Sequence, residues 1–80
     1  MITQNQLSPQ IPKGWELLTF DAYAPDPRDV LVLCQRKDHE DDLEYVTWRC
    51  NTIEGGCHLG HYFGDEQKAQ INYSIRRAAR

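Results

Sequence analysis

Glu44-Tyr45-Val46-Thr47-Trp48-Arg49-Cys50 alternates in the two-residue period of a β-strand, with Val46, Trp48 and Cys50 on one face and Tyr45, Thr47 and Arg49 on the other. Before it, Val30-Leu31-Val32-Leu33-Cys34 is a continuous β-branched and aliphatic run, short enough for a strand buried on at least one face. The mostly charged stretch Gln35 to Leu43 connects the two. After it, Asn51-Thr52-Ile53-Glu54-Gly55-Gly56 supplies a glycine-containing turn. Alternation then puts Cys57, Leu59, His61 and Phe63 on one face and His58, Gly60 and Tyr62 on the other. Antiparallel neighbours must present the same face. Pairing Val32 with Val46 puts Val30 opposite Trp48, and pairing Cys50 with Cys57 puts Trp48 opposite Leu59 and Val46 opposite His61. The three strands then agree on one apolar face: Val30, Val32, Cys34, Val46, Trp48, Cys50, Cys57, Leu59, His61 and Phe63.

Working outward, Trp15 to Tyr23 is apolar and aromatic but irregular in period, and reads as a fourth strand. Ala24 to Asp29, with two prolines and two aspartates, is a loop. Met1 to Lys13 is polar, carries Pro9 and Pro12, and reads as a flexible tail (1–13) ahead of a single domain (14–80). Asp65 to Ala79 has helical composition, with acids at its start, arginines at its end and Gly64 or Asp65 as N-cap. Its stripe Ile71, Ile75 and Ala78 is expected to cover the apolar sheet face, leaving Tyr73, Arg76, Arg77 and Arg80 outward. The expected fold is α+β: a three- to four-stranded antiparallel meander with one C-terminal helix packed on one face.

Length and composition exclude much. Eighty residues and 9.3 kDa suffice for one small core, and 40% apolar residues with a mean hydropathy of −0.70 suit a globular chain rather than a disordered one. No apolar run reaches the length of a membrane span, and Met1 to Lys13 lacks the pattern of a secretory signal, so the cytoplasm is the expected compartment. The net charge of −3 disfavours nucleic acid as a partner. The charges separate into an acidic cluster (Asp38, Glu40, Asp41, Asp42, Glu44) and a basic end (Lys68, Arg76, Arg77, Arg80). Four arginine and tyrosine positions on the helix are a small footprint for a nucleic acid, and helix-dipole compensation explains the arginines as well.

Cys50, Cys57, His58 and His61 lie close in sequence, and thiolate with imidazole is a zinc ligand set. The cysteines lack knuckle spacing and alternation turns His58 away. At most Cys50, Cys57 and His61 converge, with Cys34 from the neighbouring strand, and buried cysteines of this kind also serve as small core residues. Cys50 and Cys57 as a cross-strand pair could form a disulfide, although an odd number of cysteines without an export signal points to reduced thiols. A Cys57–His61 catalytic pair fails because residues four apart on a strand are separated by about 13 Å. With no phosphate-binding loop, dinucleotide fingerprint or other catalytic motif, no enzymatic activity and no cofactor are expected.

The sheet face opposite the expected helix would carry Leu31, Leu33, Tyr45, Thr47, Arg49, His58 and Tyr62, the tyrosine, arginine and aliphatic mixture that interfaces favour. Leu31, Leu33, Tyr45, Arg49 and Tyr62, with Tyr73, Arg76 and Arg77 on the helix, are therefore the candidate binding residues. A protein partner or a second copy of the chain would occupy them, unless Trp15 to Tyr23 folds over that face.

Tyr45-Val46-Thr47-Trp48, the glycine turn, Gly60-His61-Tyr62-Phe63 and the acid-capped helix resemble a group of small uncharacterised proteins carried by phages and prophages. The resemblance covers about half the chain and its motifs describe a hairpin and its exit to a helix. It implies a compact, enzymatically inert accessory protein of a mobile element that binds a host or phage protein complex in the host cytoplasm, some such proteins being anti-CRISPR inhibitors of host defence. Tyr45, Trp48, His61 and Tyr62 are the positions it would make functional or structural. The alternatives are a zinc or redox protein using Cys34, Cys50, Cys57 and His61, and a nucleic-acid binder using the C-terminal arginines.

Overall fold

The structure, a computed structural model, describes residues 3–22, 29–36 and 44–79. The loop at 24–28, most of the acidic cluster (Asp38, Glu40, Asp41 and Asp42) and Arg80 lie outside these residues. A helical turn α1 (Gln4–Leu7) and a 3-10 turn (Ser8–Gln10) precede four strands, β1 (Trp15–Ala22), β2 (Val30–Arg36), β3 (Tyr45–Cys50) and β4 (Cys57–Phe63), and the helix α2 (Glu66–Ala78). The strands form one antiparallel sheet in the order β1-β2-β3-β4. The α+β meander with a C-terminal helix is thus the fold.

Two bulges in the edge strands determine which side chains go where. In β1, Leu17 pairs with Cys34 and Thr19 with Leu33, so Leu18 is an inserted residue. The insertion keeps Trp15, Leu17, Phe20 and Ala22 on one face, where all four pack against the same core. It also explains why the segment shows no clean two-residue period. In β4, Cys57 pairs with Cys50 and His58 with Arg49, but beyond them Thr47 pairs with His61, Val46 with Tyr62 and Tyr45 with Phe63. Leu59 and Gly60 together oppose the single residue Trp48. Leu59 adopts a left-handed φ of 55°, a strained conformation for a bulky residue. A Cβ on Gly60 would collide with the Trp48 indole, coming within 2.7 Å of Cδ1. The bulge corrects the expected face: His61 and Phe63 lie across the sheet from Val46 and Trp48, and Tyr62 joins them instead. Between β2 and β3 the register is Val32 with Trp48 and Cys34 with Val46, two residues from the expected one and therefore with unchanged faces.

The sheet carries a core on each side. Val30, Val32, Cys34, Val46, Trp48 and Cys50 form one with Leu7, which is fully buried. Here the segment read as a tail supplies a core residue, with Ile11 packed beside it. The Gln10 side chain accepts a hydrogen bond from Gly56 N at 2.9 Å, tying this segment to the β3–β4 turn. That turn closes through Asn51, whose Oδ1 accepts from Ile53 N and Glu54 N, and through Gly55 and Gly56 with φ near 90°.

The other core joins Leu31, Leu33 and Tyr45 to Ala69 and Tyr73 of α2, with Phe63 at its margin. The helix therefore lies on the face expected to be free. Phe63 points to that side because of the bulge, and only Gly64 and Asp65 separate it from α2, so the chain enters the helix there. The Asp65 side chain caps it, accepting from Gln67 N at 2.8 Å. Ile71, Ile75 and Ala78, the expected buried stripe, face solvent, with Ile71 54% and Ile75 62% exposed.

Candidate functional site

Of the expected binding residues, Leu31, Leu33, Tyr45 and Tyr73 are buried between α2 and the sheet and cannot meet a partner. Desolvation there, followed by the nearby Glu66 and Asp65 carboxylates, raises the Tyr45 phenol above its ordinary value. Tyr62, Arg49, Arg76 and Arg77 remain at the surface, the first three distributed over two sites on opposite sides of the sheet.

The first site is an aromatic platform. Trp48, 6% exposed, forms its floor. Trp15 stands edge-on to Trp48 with ring centroids 5.2 Å apart. Tyr62 lies 6.1 Å from each tryptophan, at 87° to Trp48 and 59° to Trp15. The two contacts to Trp48 are the edge-to-face arrangement that the quadrupoles of aromatic rings prefer, and the third is tilted. The Arg36 guanidinium sits 5.9 Å above the Trp15 ring and reaches Glu44 at 3.4 Å. Tyr62 is nevertheless 56% exposed. Three elements build the platform: β1 places Trp15, the close approach at Gly60 admits the indole, and the bulge turns Tyr62 toward it. Trp15 and Arg36 were not among the expected site residues, because the cross-strand pair Trp15–Arg36 depends on a register across the loop between β1 and β2.

The second site is a cleft of about 400 Å³ beside the C-terminal half of α2, lined by Asp29, Leu31, Arg49, Leu59, His61, Arg76 and Ala79. Beneath it lies a buried polar network. Thr47, with no exposed surface, donates from Oγ1 to Asn72 Oδ1 at 2.7 Å. Arg76 Nη1 donates to the Thr47 hydroxyl and carbonyl oxygens at 2.9 and 3.0 Å. Arg49 Nε donates to Asp29 Oδ1 at 2.8 Å. That bond raises the Arg49 pKa, whereas desolvation, with Arg49 as the next cause, lowers that of Arg76. Arg77 is exposed and stands outside the cleft.

The sulfur and imidazole groups do not converge. Cys50 and Cys57 face each other with Cα atoms 4.1 Å apart and are joined in a disulfide, where reduced thiols were expected. His61 is on the other face of the sheet, and Cys34 is buried four residue pairs away along β2 and β3. Among the described residues no three Cys, His, Asp or Glu side chains gather in a metal-holding group. Burial pushes the Cys34 thiol up to about 12, so it is a core group and not a nucleophile at neutral pH. Among the described residues, no helix is long and apolar enough to cross a membrane.

Comparisons with protein-family models, curated proteins and solved structures find no match for this chain.

Proposed function

We propose that this chain is a non-enzymatic binding module that associates stoichiometrically with a larger protein complex through the platform of Trp15, Trp48 and Tyr62, with Arg36 at its rim. The observation that carries this reading is the state of Tyr62: a large ring, more than half exposed, held against two tryptophans. A ring supported in this way offers contact area while losing little side-chain entropy on docking, and tyrosine, tryptophan and arginine are the residue types that dominate interface energetics. The resemblance of the β3–β4 hairpin to small phage-carried proteins makes a host protein complex the partner to test first. Inhibition of a host defence system such as CRISPR-Cas, in the host cytoplasm, is the corresponding mode of action.

The test is affinity capture from host extract, followed by a binding isotherm with the purified partner. Tyr62→Ala should weaken binding about 30-fold or more, the loss expected of a hot-spot aromatic, while leaving the unfolding midpoint close to wild type. An unchanged dissociation constant in Tyr62→Ala would move the interface elsewhere. A host extract yielding no stoichiometric partner for the wild-type chain would remove the reading.

A further inference from the structure

We propose that the cleft bounded by Arg49, Arg76 and His61 is a binding site for a single carboxylate carried on a short aliphatic stem. The argument begins with the shape of the site. Its polar groups lie beside the exposed side chains of Leu59 and Ala79, so one part of a ligand would meet guanidinium and imidazole and the other would meet hydrocarbon. The Arg76 guanidinium is fixed in place by two bonds from one nitrogen to Thr47, itself held by Asn72. The remaining nitrogens of its planar fork are the geometry that a carboxylate matches.

Charge selects the ligand. Among the described residues, no carboxylate lies within ion-pair distance of Arg76, while Arg49 is engaged by Asp29. Among the described residues of the lining, two guanidinium groups and one carboxylate leave an excess of one positive charge, which complements a carboxylate better than a phosphate carrying up to two negative charges. His61 completes the lining only because of the bulge at Leu59. Were β4 to alternate regularly through Leu59, it would face the opposite core. A bulky residue in a left-handed conformation is a cost that the rest of the strand must offset, and such outliers gather at binding sites.

The cleft lies across the sheet from the aromatic platform, so either site can stand if the other fails. Its test uses the isotopically labelled full chain at constant ionic strength, titrated with acetate, butyrate, inorganic phosphate and chloride, observing the Arg49 and Arg76 side-chain Nε–Hε signals by NMR. Acetate and butyrate should give saturable shifts at both arginines. Butyrate should bind up to about tenfold more tightly, because its two added methylenes leave water against Leu59 and Ala79. Arg49→Gln should lose the response at Arg76 while keeping the wild-type fold, as read from its backbone spectrum. Lys68→Ala, which removes the same charge from an exposed helix position, should retain it. Shifts matched by chloride, a response undiminished in Arg49→Gln, or phosphate binding more tightly than butyrate would each overturn the assignment.

Discussion

Replacing Thr47 with valine removes one oxygen from the middle of the buried network and leaves the shape of the side chain almost unchanged. Thr47 has no exposed surface, and its hydroxyl both donates to Asn72 Oδ1 at 2.7 Å and accepts from Arg76 Nη1 at 2.9 Å. A neutral hydrogen bond contributes about 1 kcal/mol and one to a charged group about 1.5–3 kcal/mol. Arg76 keeps its 3.0 Å bond to the Thr47 carbonyl, so the charged contribution belongs at the low end of that range. The expected loss is therefore about 2–3 kcal/mol, with no compensating gain because valine and threonine suit a strand equally well. With a guanidinium chloride slope of about 2 kcal/mol per molar for a domain of this size, the unfolding midpoint should fall by roughly 1–1.5 M. Thr47→Ser retains both bonds and removes one buried methyl group, so its loss should be about 1 kcal/mol. A fall below about 0.25 M in Thr47→Val, equivalent to roughly 0.5 kcal/mol, would mean that water reaches these groups and that the network holds neither Asn72 nor Arg76. Equal losses in the two variants would say the same.

Three further outcomes follow from other parts of the molecule. Leu7→Ala should cost about 2–4 kcal/mol in denaturant unfolding, because Leu7 is fully buried in the Val30–Trp48 core; a loss under about 0.5 kcal/mol, typical of surface changes, would show that α1 does not dock there. Reducing the Cys50–Cys57 disulfide, whose cysteines are seven residues apart, should lower stability by about 2.4 kcal/mol from restored loop entropy, and coincident unfolding curves for oxidised and reduced protein would refute this. The Cys34 thiol, raised to about 12 by burial, stays protonated in the folded chain after its unfolded counterpart ionises near pH 9. Its contribution is therefore fully present below that pH and is lost between about pH 9 and 12, at up to about 1.4 kcal/mol per pH unit. Unfolding curves of Cys34→Ala and wild type at pH 8 and pH 10.5 test this, since only the wild type should show that additional loss.

The strands and the helix were legible because local pattern determines them. Alternation from Glu44 to Cys50, the glycine turn and the Asp65 cap each act within a few residues. The assignment of faces was not legible, because it depends on where an extra residue is accommodated. Alternation carried through Leu59 puts His61 beside Val46, whereas a left-handed residue at that position reverses everything after it. The helix followed the same reversal. Ile71, Ile75 and Ala78 are its most continuous apolar line, yet Ala69, Asn72, Tyr73 and Arg76 match a sheet face that is apolar at Leu31 and Leu33 and polar at Thr47. Leu7 was missed because one leucine between polar residues has no period at all, and only the finished sheet supplies the hollow it fills. Arg49 and Arg76 were each visible as candidates, but their meeting depends on the side of the sheet that α2 takes.

The inserted residue in β4 makes the point at which alternation breaks a determinant of surface chemistry. Leu59 shares the place opposite Trp48 with Gly60, so deleting it would remove the bulge and leave the imidazole beside Thr47 and the phenol beside Val46, whereas regular pairing of the full-length strand would exchange the equipment of both sides without altering any side chain. Members of a lineage of such proteins could thus differ more in what they recognise than their alignments suggest, according to whether a strand of the same length breaks its alternation or keeps it.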